Sequence, residues 1–361
     1  MKSTVPAKAS NNRGPTMKTL FFGTPEFAVP TLAALVEAGY PPDLVISQPA
    51  RPVGRKRVLQ DPPVAAWARE HGLEVAQPEK VNRAEFLDRL DALDADVAVV
   101  VAFGQIFRAR LLALPRLGCV NLHGSLLPEY RGAAPMQAAI RDGRTETGVC
   151  TMVMEKGLDS GPVLEVVRVP IGPDDTLADL SPRLSEAGAG LMVQTLGRLA
   201  AGELTPQPQD DTKATYAPRL EKQDGQVDWW RPARRTYDQW RAFTPWPGLQ
   251  TTLRGKAVKL LVGRPGAGSP PPGAAPGEIL GLRDGVLEVA CGAIDGGAGS
   301  VESTSDTPRV GEDGTIFAVE RLQIAGKKPV SATDFANGER LGSGECFVAP
   351  AQDPPTQDPP V

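Results

Sequence analysis

The segment DADVAVVVAFG (94–104) carries no polar residue between Asp96 and Gly104. A strand that is apolar at every position must be covered on both faces, as strands inside a parallel sheet are. Similar apolar runs occur at KTLFFG (18–23), DLVIS (43–47) and LGCVNLHG (117–124), and segments with helical periodicity occur at 25–38 and near 134–141. Strands that alternate with helices predict an α/β fold, with a Rossmann-like, mostly parallel sheet and helices on both faces.

The second half of the chain has a different pattern. ETGVCTMVM (146–154) and GPVLEVVRVP (161–170) predict a closing pair of strands, and a helix of period 3.6 is expected over about 176–201. Residues 204–226 are rich in Pro, Gln, Asp and Lys and have no apolar period, which is typical of a linker. A helical stretch at 232–243 and five short strands with glycine-bounded turns then predict a smaller C-terminal β-barrel of the OB-like kind.

These changes of pattern define five expected segments. They are a disordered extension (1–16), an α/β catalytic domain (17–203), a linker (204–226), a C-terminal β-barrel (227–349) and a disordered tail that repeats QDPP (350–361). A Gly/Ser/Asp-rich insertion at 292–313 is expected to be a flexible loop. Two domains are the natural expectation for 361 residues.

Composition and charge exclude several classes of protein. No stretch approaches the roughly 20 apolar residues of a membrane helix, so no membrane association is expected. The N-terminal extension lacks the apolar core of a secretory signal. It is also short and has only three basic residues, which is a poor transit signal and favours the bacterial cytosol over an organelle. A formal net charge of −4 argues against nonspecific coating of nucleic acid. None of the four cysteines, at 119, 150, 291 and 346, has a CxxC spacing, so we expect free thiols and no metal.

The densest cluster of polar residues is VNLHGSLLPEYRGAAP (120–135), which directly follows a predicted buried strand. Asn121 and His123 are two residues apart, so their side chains share one face of that strand. They should therefore lie together at the carboxyl edge of the sheet, where open α/β sheets bind ligands. Asp159 lies in GLDSGP (157–162), a glycine-flanked loop between two predicted strands, where a carboxylate can pair with the histidine.

Each of these residues also has a purely structural interpretation, His123 as a core histidine and Asp159 as an ordinary turn aspartate. Their convergence favours acyl-type transfer without a covalent intermediate. An amine that attacks a formyl carbon builds an oxyanion, which needs hydrogen-bond donors placed in advance. Ser125 lacks the GxSxG context of a nucleophile, and the GTPEF turn (23–27) lacks a phosphate-binding glycine pattern. The second histidine, His71, lies at a predicted helix end, where a cation suits the helix dipole.

Five motifs, in order between about Lys18 and Phe347, closely resemble the methionyl-tRNA formyltransferase family. They are FFGTPEFAVPTL, QPARPVGRKR, VNLHGSLLPEYRGAAP, ETGVCTMVMEKGLDSGP and RAFTPWPG. The HGSLLPxYRG element with a downstream GLDxG is specific for folate-dependent formyltransferases as a group and does not separate them from one another.

The resemblance implies transfer of a formyl group from 10-formyltetrahydrofolate to the free amino group of methionyl initiator tRNA, by a monomer. It implies that Asn121, His123 and Asp159 are catalytic. It also implies that three segments contact the folate: Ser125, Leu126, Leu127 and Pro128; Gly104, Gln105, Ile106 and Phe107; and the closing loop of Lys156, Gly157 and Leu158.

Two basic regions are candidates for binding the acceptor stem of the tRNA, although a solvated surface would have a similar composition. The first is a basic loop, QPARPVGRKRVLQDPP (48–63), which resembles the family's loop that wedges into the stem and contains Arg51, Arg55, Lys56 and Arg57. The second begins with residues 225–264, whose eight cations and two anions give a net charge of +6. The candidate phosphate contacts in the C-terminal domain are Arg231, Arg234, Arg241, Lys256, Lys259, Lys327 and Lys328.

Three alternatives stay open at this point. A formyltetrahydrofolate hydrolase would normally carry an N-terminal regulatory domain, for which the sixteen residues before Met17 leave no room. A sugar-nucleotide formyltransferase often has a fused dehydrogenase with its own glycine fingerprint, which is also absent from the sequence. A catalytically inactive tRNA-binding protein is disfavoured because Asn121, His123 and Asp159 are all present.

Overall fold

The computed structural model describes residues 17–54, 57–292 and 315–349. The predicted extension (1–16), the tail (350–361), the 292–313 insertion beyond Gly292, and Arg55 and Lys56 all lie outside the described residues. The described chain packs into two compact units. The first contains residues 17–128, 148–167 and 182–214, and the second contains 129–147, 168–181 and 215–349.

The larger sheet confirms the predicted mostly parallel α/β fold. The strands up to residue 170 are β1 (Thr19–Gly23), β2 (Leu44–Ile46), β3 (Arg51–Val53), β4 (Val58–Gln60), β5 (Val75–Ala76), β6 (Val97–Val101), β7 (Cys119–His123), β8 (Glu146–Val153) and β9 (Val163–Pro170). Seven of them form one sheet in the order β5–β2–β1–β6–β7–β8–β9. The pairs from β5 to β7 are parallel and β7–β8 is antiparallel, whereas β3 and β4 form a separate antiparallel hairpin.

Six helices accompany these strands. They are α1 (Val29–Glu37), α2 (Pro63–Glu70), α3 (Ala84–Ala92), α4 (Ala109–Ala113), α5 (Pro135–Arg141) and α6 (Leu177–Ala200). The bounds of α6 agree within one residue with the predicted helix. No helix in the described ranges has both the length and the apolar character that crossing a bilayer requires.

An aromatic cluster fixes the chain just beyond β6. The ring centroids of Phe22 and Phe107 are 4.8 Å apart and those of Phe22 and Phe103 are 5.3 Å apart, both in edge-to-face geometry. All three rings are buried in one core cluster with residues of β1, β2 and β6. Because edge-to-face pairs add to the stability gained by burial alone, this cluster holds the segment that follows β6 in place.

The C-terminal half forms an antiparallel sheet, and its first helix and first five strands were predicted, whereas β15 and α8 were not. Its elements are α7 (Ala233–Phe243), β10 (Leu249–Leu253), β11 (Lys256–Pro265), β12 (Ile279–Arg283), β13 (Val286–Cys291), β14 (Thr315–Ile324), β15 (Val330–Ser331) and α8 (Ala332–Glu339). The strand order is β10–β11–β14–β13–β12, with β15 paired to β14. Within the described ranges no ladder joins the two edge strands, β10 and β12. Single bridges pair Val348 with Thr252 of β10 and Cys346 with Glu278, the residue before β12.

Two segments from the middle of the chain pack with the second unit rather than with the first. The amide of Ile171 donates to the carbonyl of Thr145 over 2.8 Å, which joins the two segments to each other. The guanidinium of Arg235 in α7 donates to the carbonyl of Asp142 over 2.9 Å. Part of the predicted catalytic domain therefore contributes to the packing of the C-terminal unit.

The predicted linker (204–226) is held by short stretches of backbone pairing. Gln207 exchanges two backbone hydrogen bonds with Val163, of 2.9 and 2.8 Å. Further along, the amide of Ala217 donates to the carbonyl of Arg131 over 2.7 Å. The sequence showed no apolar period here because these contacts use main-chain groups, which leave no trace in side-chain patterning.

Candidate active site

Asn121 and His123 lie at the carboxyl end of β7, as their spacing predicted. Register pairs Asn121 with Val100 of the parallel neighbour β6 and His123 with Cys150 of the antiparallel neighbour β8. Asn121 is half-buried and His123 is buried. Since their side chains share one face of the strand, both are presented at the edge where adjacent parallel strands end.

Asp159 lies within reach of the histidine. Its Oδ2 is 3.7 Å from Nδ1 of His123, and the two side chains are 19% and 6% exposed, respectively. Asp159 has a φ of +48°, a left-handed conformation that non-glycine residues adopt at a cost. A carboxylate facing a buried imidazole can stabilise the protonated ring and orient it, which is the arrangement of an acid–base pair.

Cys150, the register partner of His123, is not a competing nucleophile. Burial raises the pKa of its thiol to about 12, with smaller effects from the Leu127 backbone and Asp159. A neutral, buried thiol is a poor nucleophile because the thiolate is the reactive form. The site therefore favours direct transfer between two substrates.

The segment implied to contact folate, Gly104–Phe107, leaves β6 through a left-handed glycine. Gly104 has a φ of +87°, which favours glycine at this turn. The Gln105 side chain accepts a hydrogen bond of 2.8 Å from the amide of Val81, so it holds a neighbouring segment. Phe107 is buried in the aromatic cluster, whereas Ile106 is 85% exposed. Of the three side chains in this segment, that of Ile106 is the most open to a ligand.

A cleft of about 710 Å³ adjoins this segment. It is lined by Gln48, Glu79, Lys80, Asn82, Arg83, Gly104, Gln105, Ile106 and Arg108. Asn82 braces the cleft, since its amide donates to the carbonyl of Ile106 over 2.8 Å and its oxygen accepts from the amide of Arg108 over 3.0 Å. Three cations against one carboxylate make the cleft suitable for an anionic group.

The other two segments implied to contact folate differ in exposure. Ser125 is buried, while Leu126, Leu127 and Pro128 are half-buried, and the Leu127–Pro128 peptide is cis. Lys156, Gly157 and Leu158 are exposed and belong to a loop without regular structure between β8 and β9. In the described part of the chain, no group of three His, Cys, Asp or Glu residues is arranged to hold a metal ion.

The candidate RNA contacts are mostly exposed. Arg51 and Arg57 lie on the β3–β4 hairpin, which forms the core of the basic loop, and both are exposed; Arg55 and Lys56 lie outside the described residues. Arg234, Lys256, Lys259, Lys327 and Lys328 are also exposed, and Arg231 is half-buried.

Several of these cations already have acidic partners. Lys256 and Lys327 both pair with Glu339, over 2.9 and 3.1 Å, and Arg231 pairs with Asp228 over 3.4 Å. Their charge is therefore partly neutralised within the protein.

Arg241 was wrongly predicted to be a phosphate contact. It is 1% exposed, its guanidinium donates to Asp238 over 2.6 Å, and it also donates to the carbonyl of Asp175 over 2.7 Å. A guanidinium buried against a carboxylate cannot reach a phosphate on a docked RNA. The spacing of Asp238 and Arg241, three residues apart in a helix, was the signal that could have indicated a pair.

Sequence analysis also missed Gln209. This residue falls in the predicted linker, yet its side-chain amide donates to the carbonyls of Asp159 and Gly161, over 2.8 and 2.7 Å. A glutamine in a polar, proline-rich segment has no pattern that distinguishes it from a solvated residue.

Two family models match most of the chain: "Formyl transferase" over residues 17–196 and "Formyl transferase, C-terminal domain" over residues 219–340. Together with the fold and the Asn121–His123–Asp159 site, they define the class of the protein as a formyltransferase. Curated relatives narrow this class. A methionyl-tRNA formyltransferase of Synechococcus sp. (strain JA-2-3B'a(2-13)) is 44% identical over 92% of this chain and 98% of its own length. Another, of Anaeromyxobacter dehalogenans (strain 2CP-1 / ATCC BAA-258), is 45% identical over 90% of this chain and 97% of its own. The chain belongs to the methionyl-tRNA formyltransferase family.

Solved structures share the fold at low sequence identity. The sugar 3N-formyl transferase WlaRD, in the presence of dTDP and 5-N-formyl-THF, has a TM-score of 0.59 and 16% identity over 87% of this chain and all of its own. HypX from Aquifex aeolicus, in complex with tetrahydrofolic acid, has a TM-score of 0.55 and 16% identity over 91% of this chain and 48% of its own.

Proposed function

We propose that the protein transfers the formyl group of 10-formyltetrahydrofolate to the free amino group of methionyl initiator tRNA, giving formylmethionyl-tRNA for translation initiation. The observation that carries this proposal is the His123–Asp159 pair beside Asn121 at the carboxyl edge of the sheet, in a member of this family. We place the reaction in the bacterial cytosol and assign it to a monomer.

Transfer requires a C–N bond to form and another to break. The neutral amine of the methionyl group attacks the formyl carbon, and the carbonyl oxygen becomes an oxyanion. The amide N–H of Asn121 and an N–H of protonated His123 are the donors for this oxygen, because both project from one strand face toward the same edge. Such donors act mainly in the transition state, where the negative charge develops.

Two proton movements complete the reaction. The attacking amine loses a proton as it becomes an amide, and N10 of the folate must gain one as it leaves. The His123–Asp159 pair supports both movements, since Asp159 holds the ring oriented while the ring exchanges a proton with the reacting nitrogens. The products are the formylated amine and tetrahydrofolate.

In this proposal the folate lies along the segment that follows β6. The formyl-bearing end belongs near His123, and the exposed Ile106 offers an apolar surface beside it. The cleft lined by Lys80, Arg83 and Arg108 then accommodates the carboxylate end of the folate, and its volume of about 710 Å³ lies within the range of small-molecule sites. Opposite charges favour this orientation over the reverse one.

Phosphate contacts from cations position the tRNA without reading its sequence. The exposed arginines of the β3–β4 hairpin and the exposed lysines of the C-terminal unit are suited to this role. The hairpin distinguishes a tRNA whose acceptor stem has an unpaired end. Less free energy is needed to bend such an end into the active site, because no base pair has to be broken.

The proposal is tested with the purified full-length chain and 10-formyltetrahydrofolate, offered in parallel to methionyl initiator tRNA, to water alone and to an amino-sugar nucleotide. We expect formylation of the tRNA to exceed both other reactions by about 10³-fold or more, the scale set by a dedicated acceptor site. Faster hydrolysis or faster sugar formylation would assign the chain to one of the alternative folate enzymes.

A further inference from the structure

The side chain of Gln209, which lies outside the α/β sheet, donates two hydrogen bonds to the loop that contains Asp159. The Nε2 group of Gln209 donates to the Asp159 carbonyl over 2.8 Å and to the Gly161 carbonyl over 2.7 Å. Two hydrogen bonds from one amide thus fix the Asp159–Ser160 and Gly161–Pro162 peptides. Gln209 is half-buried, so solvent competes only in part for these bonds.

The loop needs such a brace because its backbone is irregular. Residues between Val153 and Val163 have no helix or strand structure, and Asp159 adopts its left-handed φ there. Gly161 is pressed against β8, where an added Cβ would lie 1.9 Å from the carbonyl oxygen of Val153. The loop is therefore held at Gly161 by close backbone packing and at Asp159 by Gln209.

Gln209 is itself placed by backbone pairing two residues earlier. Gln207 exchanges both of its main-chain hydrogen bonds with Val163, the first residue of β9. This pairing aligns the segment alongside the end of the loop, which lets the Gln209 side chain reach back to it. The arrangement links a residue of the predicted linker to the carboxylate 3.7 Å from His123.

We infer that Gln209 is a positioning residue for catalysis: it holds the Asp159 carboxylate at His123 through the two carbonyls of the loop. This inference rests on the proposed function. Gln209 acts through Asp159, so its loss should slow the chemical step and leave tRNA binding, which uses other parts of the protein, unchanged.

The test uses Gln209→Glu and Gln209→Met in the full-length chain. The first replaces both donated hydrogens with an acceptor against two carbonyls, and the second keeps the length of the side chain without polar atoms. Gln207→Ala is the matched control, because the exposed Gln207 side chain donates to Thr205 and its pairing with Val163 uses only the backbone.

We expect kcat for formyl transfer to fall about tenfold or more in both Gln209 variants, the scale of losing two hydrogen bonds. The KM for methionyl-tRNA should stay within about twofold, and Gln207→Ala should match the wild type. In an Asp159→Asn background, where the carboxylate is already lost, the same Gln209 changes should cost less than about twofold further.

The results distinguish a failure of the positioning role from a failure of the proposed function. Gln209 variants that keep kcat, or that lose it equally in the Asp159→Asn background, overturn the positioning role while leaving the proposed function intact. A wild-type chain that does not formylate methionyl-tRNA overturns the proposed function and the role of Gln209 with it.

Discussion

The contact between His123 and Asp159 shows the geometry of the two residues that we propose to be catalytic. Their nitrogen and oxygen are 3.7 Å apart, longer than a hydrogen bond, and such contacts often tighten only when substrate is present. The left-handed φ of Asp159 costs on the order of 1–3 kcal/mol. The two hydrogen bonds from Gln209, each contributing about 0.5–1.5 kcal/mol net, are sufficient to offset much of that cost.

Asn121 should be required for turnover rather than for folding. Replacement by Ala or by Asp removes its N–H donor, so we expect kcat to fall about 10²–10³-fold, as for other oxyanion donors. The measurement is single-turnover formyl transfer, with far-UV circular dichroism as the check on folding. A variant that folds and keeps full activity would show that Asn121 does not donate to the oxyanion.

Arg241 should matter for stability rather than for RNA binding. Arg241→Met removes one of the two arginine partners of the buried Asp238 carboxylate, and Arg234 remains. We therefore expect a loss of stability smaller than the roughly 3–5 kcal/mol that follows when a buried charge is left without any partner. We expect urea denaturation to show this loss, while the salt dependence of tRNA binding stays that of the wild type.

Lys259→Ala provides the contrast, because Lys259 is exposed. It should leave the free energy of unfolding unchanged and reduce the slope of log affinity against log salt by about one. If the Arg241→Met protein were as stable as the wild type and had a smaller slope of log tRNA affinity against log salt, Arg241 would be a phosphate contact after all.

The sequence indicated the positions of the proposed catalytic residues better than it indicated which charged residues are exposed. Asn121 and His123 were placed by a strand period of two, which depends only on backbone geometry. Composition did not separate Arg241 from its exposed neighbours, because it records charge and not burial, and only the spacing from Asp238 indicated a pair. Gln209 could not be found at all, since its role depends on a main-chain pairing between distant segments.

At the scale of elements, Glu165 fastens β9 to α6. Its carboxylate accepts hydrogen bonds from Thr195, Gln194 and Arg198, of 2.6, 2.7 and 2.6 Å. Burial raises the pKa of Glu165, and these three donors outweigh burial, so its pKa lies below the ordinary value of 4.5. A lowered folded-state pKa means that the carboxylate stabilises the protein above pH 4.5 and loses this effect as the pH falls through the folded-state pKa.

Glu165→Gln should therefore weaken the protein mainly at neutral pH. We expect a lower free energy of unfolding than the wild type at pH 7 and a difference that narrows as the pH falls below 4.5. Urea denaturation at a series of pH values measures this. A difference that stays constant over the series would mean that the charge of Glu165 contributes nothing to stability.

Substitutions in the β3–β4 hairpin should weaken the binding of the tRNA substrate and leave the binding of the folate unchanged. Arg51→Ala and Arg57→Ala each remove an exposed cation, so we expect a higher KM for methionyl-tRNA and an unchanged KM for 10-formyltetrahydrofolate. Steady-state kinetics with each substrate varied in turn provide the measurement.

Arg89→Ala, on α3, serves as the control for losing one arginine elsewhere on the surface. If it raised the KM for tRNA as much as the hairpin variants do, the hairpin would have no special role.

Most elements were predictable because their signals are local. The apolar run of β6, the alternation around β7 and the long period of α6 all agree with the observed bounds. The hairpin of the basic loop was predicted only as a loop, because its strands of three residues are too short to show alternation.

For the molecule as a whole, the compact units are not continuous in sequence. The predicted boundary near residue 203 follows composition, whereas segments 129–147 and 168–181 pack with the C-terminal unit. Contacts such as the 2.8 Å hydrogen bond from the Tyr130 amide to Thr215 Oγ1 produce this grouping. Pairings between residues so far apart in sequence cannot be read from local patterns.

The positive charge available at the surface also depends on contacts that the sequence does not show. Its formal net charge of −4 hides a basic stretch at 225–264, and within that stretch Asp238 pairs with both Arg234 and Arg241. The cations available to an RNA are therefore fewer than the sequence total implies. Binding should depend on salt, with a slope set by the exposed cations alone.

The central claim is that His123 and Asp159 act as one unit in formyl transfer. Single-turnover transfer to methionyl-tRNA by the wild type, His123→Ala, Asp159→Ala and the double variant tests it most directly. We predict an active wild type and a double variant about as slow as the slower single variant, because residues that act as a unit are not additive. An inactive wild type, or losses that multiply in the double variant, would contradict the account.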